Sequence, residues 1–137
     1  MSETTDAILF YGYNLGSDEE GWRIEEVDKD GWLQSDWYTP YGDTDFPEEA
    51  AKRLQTGTGV AGVEVDFHCS SDYPMYFLSA HTVTAHRGSA IALDPTVLET
   101  QRVAEDWDGK LVAALAVMGM TPKERDPRWL IVSYWGC

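Results

Sequence analysis

Basic residues are scarce in this chain: ten lysines and arginines face 24 aspartates and glutamates, a net charge of −14 over 137 residues. Phosphate-rich surfaces are bound by cationic side chains that displace counterions, so neither direct nucleic-acid binding nor an anionic membrane fits this balance. Cysteine is almost missing as well. Cys69 and Cys137 have no repeating spacing, which excludes a disulfide framework and points to free thiols in a reducing compartment. Long apolar runs are lacking too; residues 111–118 and 129–135 fall far short of the roughly 20 needed to cross a bilayer. The opening residues Met1 to Asp6 carry neither the basic region nor the apolar run of a secretory signal, and the expected location is therefore cytoplasmic.

What is present is ordinary globular material. With 43% hydrophobic and 25% charged residues, a chain of this length is expected to bury one core, as a single domain over 1–137. The charge, however, is unevenly spread. Residues 1–50 hold 14 acids against only Arg23 and Lys29, net −12, whereas residues 51–137 are close to neutral at net −2.

Ala7 to Tyr13 reads as a strand apolar on both faces, closed by Asn14-Leu15-Gly16-Ser17. Gly21–Val27 and Trp32–Trp37 flank Asp28-Lys29-Asp30-Gly31 and suggest an acidic hairpin around an Asp-Gly turn; a short helix capped at Ser17, with Glu20 three residues on, competes with it. Asp45-Phe46-Pro47-Glu48 supplies a cap, an early proline and a capping-box acid for a helix of about three turns that stops at Gly57, with a thin apolar face of Ala50, Ala51 and Leu54. Val63, Val65, Phe67 and Cys69 alternate with Glu64, Asp66 and His68, as in a half-buried strand, which places Cys69 in the core. Met75–His86 is a second long strand, with Ala90–Leu93 expected to fold back as a short third one and Asp94-Pro95 to cap a brief helical turn. Trp107, Leu111, Ala114, Leu115 and Met118 mark a helix ended by Gly119 and Pro122, and Trp129–Trp135 a last strand.

The resulting order is strand, helix, strand, strand, helix, strand. It suits an α+β two-layer sandwich, a mainly antiparallel sheet with two helices on one face, ferredoxin-like (β-α-β-β-α-β) in connection, with an inserted N-terminal hairpin.

Two groups of residues carry the functional expectations. The first is the acidic, aromatic stretch of Glu19, Glu20, Trp22, Glu25, Glu26, Asp28, Asp30, Trp32 and Trp37. Aromatic anchors ringed by carboxylates suit a basic protein surface, since aromatic rings dominate hot spots and charge steers encounter; the alternative is that these rings, with Tyr38 and Tyr41, pack the hairpin onto the domain. The second is Glu64, Asp66 and His68. A strand puts all three on one face, about 7 Å apart, where they could hold a divalent metal in a metal-dependent enzyme or form the polar outside of a half-buried strand. His81 and His86, five apart, point to opposite faces, so only one could join them. Cysteine and histidine spacings match no zinc pattern, the sixth position of a loop starting at Asp28 is Leu33 rather than the glycine of a calcium loop, and the Gly57–Gly62 segment follows a helix and lacks a phosphate-loop lysine. No cofactor is expected.

Phe10–Gly16, Asp18–Trp22, Asp72–Tyr76 and Trp129–Gly136 together resemble a group of small uncharacterised proteins encoded by bacteriophages of actinobacteria. The resemblance implies a viral protein acting in the cytoplasm of an infected bacterium and carries no catalytic residue. The expectation is a non-catalytic acidic interaction module that binds a basic surface of a host or phage protein, with DNA mimicry as a variant. A metal-dependent enzyme and a self-assembling, homo-oligomeric structural protein are the alternatives.

Overall fold

The computed structural model describes residues 4–18, 20–39, 45–70 and 73–136. In order they form β1 (Thr4–Ser17), β2 (Gly21–Trp22), α1 (Phe46–Leu54), β3 (Glu64–Ser70), β4 (Pro74–His86), α2 (Pro95–Ala104), α3 (Trp107–Met118) and β5 (Arg128–Gly136). The protein is α+β, with one mostly antiparallel five-stranded sheet and three helices.

β1 is the centre of the sheet. It pairs antiparallel with β5 along one edge and with β4 along the other, while β3 pairs antiparallel with the first half of β4. Alternation along β1 sends Tyr11, Tyr13 and Leu15 to the face covered by α1 and α3, where they meet Phe46, Ala50, Leu54, Trp107, Leu111 and Met118 in the main core. Both helices expected from sequence therefore lie on one face. The other face is partly closed on itself. β3 and β5 touch in a short parallel pairing of Cys69 with Tyr134 and Ser70 with Trp135, which curls the sheet, and Phe10 stacks on Phe77 away from the helices at 4.3 Å. That parallel contact and the third helix set the sheet apart from an open ferredoxin-like one.

Two glycines make this geometry possible. Gly12 lies at a bulge between β1 and β4, where a Cβ would fall 1.9 Å from the carbonyl oxygen of Leu78; Gly16, at φ +76°, turns the end of β1 toward β2. Capping follows the sequence signals. The Asp45 carboxylate accepts from the Glu48 amide at 2.9 Å, and Gly119, in the left-handed region, closes α3.

Several expectations change. Ala90–Leu93 forms no strand and is exposed throughout, and the brief turn after Asp94 is a ten-residue helix, because Asp94 accepts from the amides of both Thr96 and Val97. Cys69 is exposed rather than a core residue: its φ of 76° breaks the strand alternation where β3 leaves β4 and reaches β5. Ala51 is exposed, and Phe46 supplies the bulk of the α1 contact instead. The hairpin is reduced to a turn with one bridge, Val27 to Leu33. No helix forms at Ser17, although its hydroxyl does accept from the Glu20 amide.

Candidate functional site

The acidic segment is fastened to the domain by alternate residues. Trp22 is only 5% exposed; its ring stacks on Tyr76 and meets Phe46 edge-on, and its indole N–H donates to Asp18 at 2.6 Å. Ile24 is fully buried beside Pro122, and the Glu25 amide donates to the Thr121 carbonyl. Glu26 folds inward as well, its two carboxylate oxygens accepting from the Thr121 amide and hydroxyl at 2.7 Å each. Further along, Leu33 is buried and the Trp37 indole donates to the Met118 carbonyl at 2.8 Å. Five side chains thus hold residues 22–37 against the end of the helical layer.

Between the fastenings, Asp28 organises the turn. One of its oxygens accepts from the amides of Asp30 and Trp32, both at 2.9 Å, and the other from the Gln34 side chain. An aspartate that bonds its own downstream backbone in this way stabilises a turn without any help from a sheet. Trp32, 38% exposed, is presented on this turn beside Asp30. Glu20, Glu25, Asp30 and Asp36 are exposed, and among the described residues none of them takes part in an ion pair. The negative field reaches inward: burial raises the Tyr38 phenol above its ordinary range, and the charges of Asp18 and Asp45 push it the same way.

Of the residues expected from sequence, Glu20, Glu25, Asp28, Asp30 and Trp32 are exposed along this segment. Trp22 and Trp37 are corrections: their rings are spent on the core, because Phe46 and Tyr76 offer an aromatic bed that solvent cannot. Glu26 is spent on Thr121. Glu19, Tyr41, Asp72 and Cys137 lie outside the described residues.

Comparison with protein-family models, with curated proteins and with solved structures finds no match to this chain. The reading of its surfaces therefore rests on their own chemistry.

Glu64, Asp66 and His68 do share one face of β3, yet they do not converge. The two carboxylates are exposed while His68 is buried near the Phe77 ring, its Nε2 without a hydrogen-bond partner. Burial holds its imidazole below the ordinary histidine range, partly offset by a hydrogen bond with the Ser133 backbone. Among the described residues no group of three or more histidine, cysteine, aspartate or glutamate side chains is disposed to hold a metal ion. His81 stacks flat on Trp107 at 4.8 Å, and His86 pairs with Asp6 at 2.9 Å. A groove of about 550 Å³ runs between α1, the glycine-rich loop and β3, lined by Leu54, Val60, Val63 and Val65 with Gln55 and Glu64 as its only charged or amide side chains.

One polar cluster escaped sequence reading. Arg102 on α2 donates to both oxygens of Asp108 at 3.0–3.1 Å and to Glu99 at 2.9 Å, and its guanidinium lies 5.5 Å from the Tyr11 ring centre. Glu99 also accepts from the Trp129 indole at 3.1 Å. Burial and the hydrogen bond and charge of Asp108 push the Tyr11 phenol up to about 12, against a smaller opposing effect of Arg102. Every member has a partner inside the cluster, so it serves to tie α2 to α3 and β5. No motif spacing announces it, since Arg102 and Asp108 belong to different helices.

Proposed function

We propose that this chain is a non-catalytic interaction module whose exposed N-terminal acidic segment binds a basic protein surface. The observation that supports the reading is the set of exposed carboxylates at Glu20, Glu25, Asp30 and Asp36, without cationic partners among the described residues, beside Trp32 on a turn that Asp28 holds in shape. A pre-shaped turn loses little entropy on docking, and one exposed indole within a charged rim has the composition of an interface hot spot. The resemblance of the sequence to phage proteins makes a host or phage protein the partner sought.

The test is capture from bacterial host lysate by the purified chain across a salt series, beside a variant carrying E20Q, E25Q, D30N and D36N. The expected result is a basic protein retained at about 50 mM salt, released as screening shortens the reach of the charges, and lost in the variant. A partner that ignores salt, or that the variant retains, would refute the acidic surface as the site.

A further inference from the structure

The helix-covered face of the sheet is not covered along its whole length. His81, Tyr11 and Trp129 form one cross-strand row on β4, β1 and β5, packed under Trp107 and Arg102. The next row on the same face, two residues along each strand, is Val83, Leu9 and Ile131. Val83 and Leu9 are half-buried and Ile131 is 75% exposed; beyond them come Ala85, Ala7 and Ser133. This shelf is three strands wide, apolar but for Ser133, and free of charged side chains.

The same chain also carries apolar residues with no core to enter. The 19 residues from Arg87 to Glu105, an irregular arm followed by α2, contain no fully buried side chain, Leu98, Gln101 and Arg102 being partly buried, and Ile91, Leu93, Val97 and Val103 are all exposed, the last at 71%. The arm leaves β4 at His86, at the shelf end of the sheet.

We infer that the shelf and the arm are the two halves of a homodimer contact, the arm and α2 of one copy seated on the Val83–Leu9–Ile131 row of the other and reciprocally. Charge selects the occupant. Two chains of net −14 repel over most of their surface, but the arm and α2 hold Arg87 and Arg102 against Asp94, Glu99 and Glu105, and the shelf rows hold no charge at all. A basic partner would gain nothing from such a face, whereas a second copy meets less repulsion there than at its acidic first third. Size agrees as well: a standard interface uses roughly 20–30 residues a side, about what the arm, α2 and shelf supply together. Reciprocal use of one arm and one shelf gives a closed two-fold pair.

The test is sedimentation of the full chain at 5–200 µM, about the range over which a micromolar dimer forms. The wild type is expected to dimerise, and I131E and L93K each to weaken the dimer about 100-fold or more, since each buries an unpaired charge in an apolar contact. Mixing the two variants is expected to restore a dimer, because one of its contacts is then wild type and the other joins lysine to glutamate. Both substituted positions are exposed, and circular dichroism checks that each variant folds; L93K carries the test if I131E does not. A wild type that stays monomeric at 200 µM, or variants that dimerise as it does, would overturn the proposal. Dimerisation abolished in both variants but not restored by mixing would overturn the pairing of arm with shelf.

Discussion

Residues 20–38 and residues 87–105 both leave the central strands of the sheet, and they solve opposite problems. The first sends Trp22, Ile24 and Leu33 into the core and most of its carboxylates into water; the second has no fully buried side chain and leaves Ile91, Leu93, Val97 and Val103 outside. An excursion fastened by its apolar residues can afford a surface of one sign, since the anchors offset the repulsion. One that is held mainly by the polar ties of Arg102 and Glu99 depends on those ties or on a partner. Acidity alone does not mark the functional surface; what distinguishes the two segments is which residue type is left over after folding.

The largest expected contrast is in single truncations. Trp22→Ala removes a ring packed between Phe46 and Tyr76 and is expected to cost about 3–5 kcal/mol in urea unfolding, as large aromatic truncations in cores do. Val103→Ala on α2, measured in dilute monomer, is expected to change stability by less than about 0.5 kcal/mol. Equal costs would mean that α2 is buried in solution and the comparison fails.

Arg102→Met breaks the ties to Glu99 and Asp108 while keeping much of the stem. Hydrogen bonds to charged groups stabilise, though less where solvent reaches the pair, so a measurable loss of stability, smaller than that of Trp22→Ala, is expected. It should appear mainly as faster amide exchange in 95–104, with α3 still protected. Uniform acceleration across both helices would show that α2 is not a separately opening unit.

Tyr11 offers a pH probe of the same anchorage. Its phenol is raised from an ordinary value near 10 to about 12, first by burial and then by Asp108, so the neutral form is favoured in the folded chain. The contribution is fully present below pH 10 and is lost as pH rises from 10 through 12. Tyr13 and Tyr38 are raised too, and the readout is therefore the difference between wild type and Tyr11→Phe in unfolding free energy from pH 8 to 12. A difference that stays constant would show that Tyr11 is not buried beside Asp108.

Asp28→Ala strips three hydrogen bonds from an exposed turn, and the expected cost is about 1 kcal/mol, close to the value of a lost helix cap. A shift in Trp32 fluorescence should accompany it, because the ring is carried on that turn.

Most of the framework is legible in the sequence. The helix at 46–54 was announced by Asp45, Pro47 and Glu48, the helix at 107–118 by apolar spacing with a glycine stop, and the strands by alternation or continuous apolar runs. These are local signals, and local hydrogen bonding and side-chain period determine them. What was not legible depends on partners distant in sequence. Trp22 and Trp37 read equally well as anchors for a partner or for the core until Phe46 and Tyr76 are brought beside them. Cys69 obeys strand parity up to the residue where β3 leaves β4 for β5, and no pattern marks that change. Ala90–Leu93 has strand composition and no strand, since composition cannot supply a neighbouring edge. Within the acidic segment, the exposed carboxylates were anticipated, whereas the inward turn of Glu26 toward Thr121, 95 residues away, was not.

The smallest effect has the most informative sign. Neutralising Glu20, Glu25, Asp30 and Asp36 together removes four exposed charges that have no ion pair among the described residues. If those carboxylates were structural, the variant would lose stability, as Arg102→Met does. If they are surplus, held out only by the anchors beneath them, self-repulsion falls and stability rises, by a few tenths of a kcal/mol at about 20 mM salt and by less at 500 mM as screening shortens the interaction. Thermal unfolding at the two salt concentrations distinguishes the cases. A gain that fades with salt means that the fold carries this charge at a cost to itself, and natural surfaces retain such a cost where the charge is used on something else. A loss at either concentration would make the acidic segment a structural feature and leave the apolar arm and shelf as the surface through which the protein acts.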